Sequence, residues 1–132
     1  RYLKEMENFI KAHGYIDSIF GRRRHLPDAG SDSKTIVDEA IRGGVNAQIQ
    51  GTSSDVVQLA TIKIAEEIKD RNLKSRQIYT VHDEIVFEIR NEEEEIMEEM
   101  AIRKMTEKTG VMEQINIPLE AEFELFETRW GD

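Results

Sequence analysis

The sequence predicts an α+β fold, an antiparallel sheet with helices packed on one face. Three observations carry this. Hairpin-like stretches lie at residues 15–26 and 77–89, helical periodicity fills the segments around them, and residues 119–125 alternate between apolar side chains and glutamates. Clustered hairpins with intervening helices favour antiparallel pairing over a parallel βαβ order.

The elements follow in chain order. Leu3, Met6, Phe9 and Ile10 recur at helical spacing and Gly14 stops them, which predicts a helix over 2–13. Residues 15–26 read as a hairpin turning near Phe20-Gly21, and 27–33 as a loop by composition. Residues 34–44 predict a short helix capped by Ser33 and weakened at its end by Gly43-Gly44. A longer helix then opens at Thr52 and runs to about Asn72, burying Val57, Ala60, Ile64 and Ile68. Gln77–Val81 and Ile85–Ile89 read as strands around His82-Asp83-Glu84. The next helix, 92–109, carries Glu92–Glu95 at its start and Arg103, Lys104 and Lys108 near its end, in accord with the helix dipole. Its methionines at helical spacing are core material. Leu119, Ala121, Phe123 and Leu125, alternating with Glu120, Glu122 and Glu124, predict a final strand with one dry and one acidic face, ending near Trp130.

The chain has 132 residues, 39% hydrophobic and 34% charged, which gives one domain or part of a larger one. It has no cysteine, so disulfide frameworks, zinc–thiolate sites and cysteine nucleophiles are excluded. No apolar run approaches the ~18 residues of a membrane span. The opening Arg1-Tyr2-Leu3-Lys4-Glu5 has neither a signal-peptide pattern nor an initiator Met, which fits a piece of a longer protein. The net charge of −9 argues against a generic nucleic-acid binder. Its distribution softens that: residues 1–50 carry +1, residues 51–87 carry −1, and residues 88–132 carry −9. A basic surface in the first half remains open.

Chemistry-bearing residues are few. His82-Asp83-Glu84 sits between two apolar strands, where a ladder on either side fixes a carboxylate. Hard oxygen ligands of this kind suit Mg²⁺, which takes one or two carboxylates plus substrate phosphates. The competing reading is an ordinary wet turn. Arg42, Asn46 and Gln50 are spaced four and four. On a continuous helix they share a face, and all three donate hydrogen bonds. Such donors match the acceptors that every base pair shows in the minor groove. A solvated polar face is the alternative, and Gly43-Gly44 puts the continuity in question. Arg22-Arg23-Arg24 could meet phosphates or simply keep a turn soluble. Glu92–Glu95 reads as a solvated helix start, and His13 and His25 receive no role. There is no G-x-x-x-x-G-K-[ST], G-x-G-x-x-G or H-E-x-x-H pattern.

Three stretches, taken in order, resemble the C-terminal palm portion of family-A DNA polymerases, the bacterial DNA polymerase I group. They are Gly14-Tyr15 through Gly21-Arg22-Arg23-Arg24 to Leu26-Pro27-Asp28, Arg42 through Asn46-Ala47-Gln48-Ile49-Gln50-Gly51-Thr52-Ser53-Ser54-Asp55, and Val81-His82-Asp83-Glu84-Ile85-Val86-Phe87-Glu88, which looks like polymerase motif C. The resemblance covers nearly all of residues 1–132. It implies a palm-like fold. Residues 1–50 would hold the link from the fingers and the primer–template contacts, and 51–132 the palm core with its motif C hairpin. Asp83 would hold the paired Mg²⁺ ions with Glu84 beside it, and His82 would lie near the primer terminus. Arg42, Asn46 and Gln50 would contact the primer–template minor groove, and Arg22, Arg23 and Arg24 would serve DNA binding. The implied reaction is template-directed nucleotidyl transfer from deoxynucleoside triphosphates in the cytoplasm of a bacterial or phage-like system.

The departures are as informative. Gln48 stands where relatives usually place proline. The chain has no D-Y-S-x-I-E-L-R-like segment, the family's source of the second metal aspartate, and no R-x₃-K-x₇-Y-G-like fingers helix. The resemblance therefore implies a part of a polymerase that is inactive alone. It would be completed by the remainder of the polymerase, in the same parent chain or as a separate subunit, and would tend to self-associate. The alternative is a non-catalytic DNA- or protein-binding module that kept the palm scaffold.

Overall fold

The computed structural model describes residues 1–127. The chain divides into two compact units, Arg1–Asp55 and Val56–Asp132. Mixed α and antiparallel β structure is present as expected, with the β structure in two separate two-stranded ribbons.

The first unit opens with helix α1, Tyr2–His13. Gly14 ends it in the left-handed region (φ 69), its N–H donating to the Ile10 carbonyl at 2.8 Å. That conformation costs glycine nothing and other residues a good deal. Strands β1 (Tyr15–Asp17) and β2 (Arg23–His25) pair antiparallel, with Ile16 opposite Arg24 and Asp17 opposite Arg23. Between them Gly21 (φ 79) donates to the Ser18 carbonyl, and the Ser18 hydroxyl accepts from the N–H groups of Phe20 and Arg22. Pro27 leads a 3-10 turn over Pro27–Gly30, a position where its missing N–H is no loss.

Helix α2 runs unbroken over Lys34–Asp70, 37 residues, where the sequence predicted two helices parted at Gly43-Gly44. The reason lies in packing. A Cβ on Gly44 would stand 2.4 Å from the Leu26 side chain and 2.9 Å from that of Ile10. Gly44 is thus a site of close approach to the core rather than a helix stop. Thr52, expected as a cap, is interior to the helix. The first core gathers Met6, Ile10, Ile16, Leu26, Ala29 and Ile41. Leu3 and Phe9, counted with the apolar stripe, are exposed, and Phe9 instead stacks on His13 with centroids 4.2 Å apart.

In the second unit α2 ends in a Schellman turn. The Leu73 N–H reaches the Ile68 carbonyl and the Asn72 N–H reaches that of Lys69, both at 3.0 Å, with Asn72 at φ 54. Leu73 and Ile68 pack on the same core, the contact this motif favours. Strands β3 (Arg76–Val81) and β4 (Glu84–Glu88) form the second ribbon, with an irregularity between Gln77 and Tyr79 that leaves Ile78 unpaired as a bulge. Ile85, Phe87 and Ile89, one face by alternation, pack on a core of Ile64, Met97, Met100 and Ala101.

Helix α3 covers Glu94–Thr106, shorter than the predicted 92–109, and Asn91–Glu93 form a 3-10 turn before it. Glu93 is diverted from capping. Its carboxylate accepts from the Lys74 and Ser75 N–H groups and the Ser75 hydroxyl at 2.6–3.0 Å. At the other end Glu107 turns to extended backbone (ψ 137) and pairs with Lys63 at 3.1 Å. Glu67 joins α2 to α3 by accepting from Arg103 at 2.7 Å, with Arg71 and Lys104 also in range.

The predicted final strand does not form a ladder among the described residues. Its alternation survives as burial only over 119–124: Leu119, Ala121 and Phe123 are half-buried while Glu120, Glu122 and Glu124 are exposed, but Leu125, expected on the dry face, is exposed. Period two selects a face, but a strand also needs a hydrogen-bonded neighbour, and 119–125 has none here. Trp130 lies outside the described residues.

Candidate nucleic-acid interface and metal-binding turn

The second ribbon ends in a two-residue connection. Val81 pairs with Glu84, leaving His82 and Asp83 at the tip. Two-residue hairpin turns demand positive φ at a central position, and His82 supplies it at φ 55. A left-handed non-glycine residue is uncommon and costs energy. The side chains of His82, Asp83 and Glu84 are exposed and make no hydrogen bond or ion pair among the described residues. Two adjacent hard carboxylates on a rigid ladder therefore face solvent.

Their donor chemistry fits Mg²⁺, which readily keeps waters and takes substrate phosphates beside one or two protein carboxylates. They do not amount to a closed cage: among the described residues no cluster of three or more His, Asp or Glu is placed to hold an ion.

The base of this ribbon is fixed. Ser75 is buried, its hydroxyl donates to Glu93 at 2.6 Å, and it accepts from the Arg90 N–H at 3.0 Å. The Ser75 hydroxyl first, then the Lys74 N–H, hold the Glu93 carboxyl below its ordinary value near 4.5; they outweigh the opposing effect of burial, and the Ser75 N–H adds a lesser part. Sequence reasoning read Glu93 only as part of a solvated helix start. An acid following a serine by 18 positions carries no local signal for such a bond.

On α2, within the first unit, Arg42, Asn46 and Gln50 are all exposed. The continuous helix settles their common face, since four residues advance about 40° past a full turn. Among the described residues Arg42 Nε donates only to its own helix, at the Asp38 carbonyl, 3.4 Å away. Asn46 and Gln50 have no side-chain partner among the described residues. Their amides are thus available to an external ligand.

The arginine triplet is divided in use. Arg22 reaches α2, with Nη2 3.0 Å from Asp55 Oδ1 and 3.3 Å from the Gly51 carbonyl. Arg23 grips Asp17 through two bonds of 2.9 and 3.0 Å and lies 3.7 Å from the Tyr15 ring centroid. Its hydrogen bonds, with its charge, hold the Asp17 carboxyl below the usual carboxylate range despite burial. Arg24 has no hydrogen bond or ion pair among the described residues. A cleft of about 320 Å³ lies here, lined by Ser18, Arg22, Arg24, Gln48, Gln50 and Gly51 among others. Gln48 also ties the hairpin to α2, its Nε2 donating to the Asp17 carbonyl at 3.0 Å while Tyr2 Oη donates to its Oε1. Asp55 and Gln48 were not read as site residues. Asp55 looked like a first-turn acid of a new helix, and that helix start does not exist.

The second unit thus presents carboxylates of a kind that suits a divalent cation, and the first unit amide and guanidinium donors of a kind that suits an acceptor-rich polyanion. The chain belongs to DNA polymerase family A, whose model matches residues 1–132. It is 34% identical over 130 residues to DNA polymerase I of Mycobacterium leprae, covering 98% of this chain and 14% of that protein. DNA polymerase I of Caldicellulosiruptor bescii is 30% identical over 128 residues, covering 97% of this chain and 15% of that protein. A solved structure, the POL domain of Pol1 from M. smegmatis in complex with DNA primer–template and dNTP, matches with TM-score 0.81 and 33% identity. That match covers 90% of this chain and 20% of the other. The chain thus spans about one-seventh of the length of these curated relatives.

Proposed function

We propose that the chain is the C-terminal palm segment of a DNA-directed DNA polymerase, acting in the cytoplasm on primer–template DNA and deoxynucleoside triphosphates. The observation that carries the proposal is the Asp83–Glu84 pair, exposed at a hairpin tip and without a partner among the described residues, in a chain matched along its length by the family. Asp83, with Glu84 beside it, would hold the two Mg²⁺ ions of the complete enzyme. Bound there, the ions would lower the pKa of the primer 3′-hydroxyl and neutralise the departing pyrophosphate. His82 would contact the primer's terminal nucleotide. Arg42, Asn46 and Gln50 would donate to minor-groove acceptors. The Arg22–Arg24 turn would serve DNA binding, with Arg24 the residue that would meet the sugar–phosphate backbone. What the residues supply is positioning and charge complementarity, the main currency of phosphoryl transfer.

A two-metal site needs more carboxylate than this pair offers, so the isolated chain should not extend a primer. Completion by the remainder of the polymerase, from the parent chain or a separate subunit, would restore extension, and the isolated chain should self-associate. Primer extension by the purified chain alone would overturn the incompleteness. Salt-dependent binding to primer–template duplex tests the rest: binding should weaken as salt rises, and Asp83→Ala should lower Mg²⁺ affinity. Failure to bind duplex at low salt would favour a non-catalytic protein-binding module.

A further inference from the structure

The three arginines of the β1–β2 turn are chemically alike, yet the structure gives them different duties. From this division we infer that Arg22 is a positioning residue for primer–template binding rather than a DNA ligand, and that it acts through α2. The inference rests on the reading of Asn46 and Gln50 as duplex contacts.

Arg22 reaches from the turn to helix α2 and meets it twice, at the Gly51 carbonyl (3.3 Å) and at Asp55 Oδ1 (3.0 Å). These two residues are one turn apart, and the first of them directly follows Gln50. The Asp55 side chain is 11% exposed, and its second oxygen is buried with no hydrogen-bond partner among the described residues. Moving Arg22 to an external phosphate would leave that carboxylate without its cation in a poorly solvated place, a strongly unfavourable exchange. Gly51 has the shape the arrangement needs, because a Cβ there would stand 3.3 Å from Arg22 Nη2. One turn earlier, Gln48 Nε2 makes a second tie, to the Asp17 carbonyl at 3.0 Å. Hairpin and helix are thereby stapled on both sides of Gln50. Arg24, with no hydrogen bond or ion pair among the described residues, is left to line the same cleft as Gln50. The staple sets the spacing between a phosphate-seeking cation and a base-edge donor.

The decisive measurement is primer–template affinity of the full chain across a salt series, by fluorescence anisotropy, because a phosphate ligand and a positioning residue leave different signatures. Arg24→Ala should lower the slope of log affinity on log salt by about one. Asp55→Ala should weaken binding roughly tenfold, the scale of a misplaced contact, with the slope unchanged. Arg22→Ala should do the same, and the double variant should be no worse than either single one. A phosphate-binding Arg22 gives the opposite sign: releasing it with Asp55→Ala would leave binding equal or tighter, and Arg22→Ala would cost a unit of slope. Either result overturns the inference. If Asp55→Ala does not fold, Asp55→Asn and Gly51→Ala replace it, the latter pressing a methyl against the guanidinium. Both should weaken binding at constant slope, and unchanged binding by both would overturn the inference. A wild-type chain that does not bind duplex overturns the underlying reading as well, whereas binding by wild type with tighter binding by the Asp55 variant overturns the positioning role alone.

Discussion

The two hairpins are built from similar parts and put them to different use. In β1–β2 the strands are three residues each, and two of the three guanidinium groups are occupied within the fold, by Asp55 and by Asp17. In β3–β4 the strands are longer, the base is bonded through Ser75 and Glu93, and the ionisable residues at the tip are left unpaired among the described residues. The first ribbon directs its charge inward and the second directs it outward. A run of like residues in sequence is therefore a poor guide to which of them meets a ligand. Prior commitment to an internal partner decides.

The largest effect that would test this contrast is at the outward tip. In the complete polymerase Asp83→Ala should reduce nucleotide incorporation roughly 10³-fold, since charge stabilisation by bound metal is worth several kcal/mol. Single-turnover incorporation measures it, and a loss of less than tenfold would remove Asp83 from the site. The next effect falls at the base. Glu93 has its carboxyl depressed by the bonds to Ser75 and Lys74. Its stabilising contribution is complete above pH 4.5, its value in the unfolded chain, and fades as pH falls through the lower folded value. Glu93→Gln should melt earlier than wild type at pH 7, and the gap should close on acidification below that point. Parallel melting curves at every pH would refute the lock.

Smaller changes sharpen the picture. Gly43 has open space where a Cβ would go, so Gly43→Ala should stabilise by about 0.5–1 kcal/mol through helix propensity. Gly44→Ala gains the same propensity but presses on Leu26 and Ile10, and overpacking of about 1–3 kcal/mol should leave it net destabilised. Denaturant titration of the two variants should show opposite signs. His82→Gly should relieve the positive-φ cost and gain up to about 1 kcal/mol; if His82 contacts the primer end as proposed, the same change should weaken duplex binding.

Much of this was legible in the sequence. Helix α1, both hairpins, the Ile85–Phe87 face and the methionine core follow from periodicity, because each depends on neighbours a few positions away. What escaped depends on distant ones. Gly44 reads as a helix breaker until Leu26 and Ile10 are seen beside it. Glu93 and Asp55 read as helix-start acids until their partners, 18 and 33 residues earlier, are in place. The strand expected at 119–125 kept its two-sided burial as far as Glu124 but found no ladder among the described residues, since alternation encodes a face and not a neighbour. For the site, the residue types at His82–Glu84 and at Arg42, Asn46 and Gln50 were legible, while the division of labour within Arg22–Arg24 was not.

The bonded base of β3–β4 has a mechanical corollary. A ribbon of six residues, about 20 Å long, is anchored at Ser75 and carries Asp83 at its free end, like a cantilever. Bonds at the anchor resist hinging there, so the backbone under the carboxylate is re-aimed mainly by twisting the ladder. The weakest place for that is Ile78, where one rung is missing. A residue 5 positions from Asp83 would then bear on where the hairpin tip points.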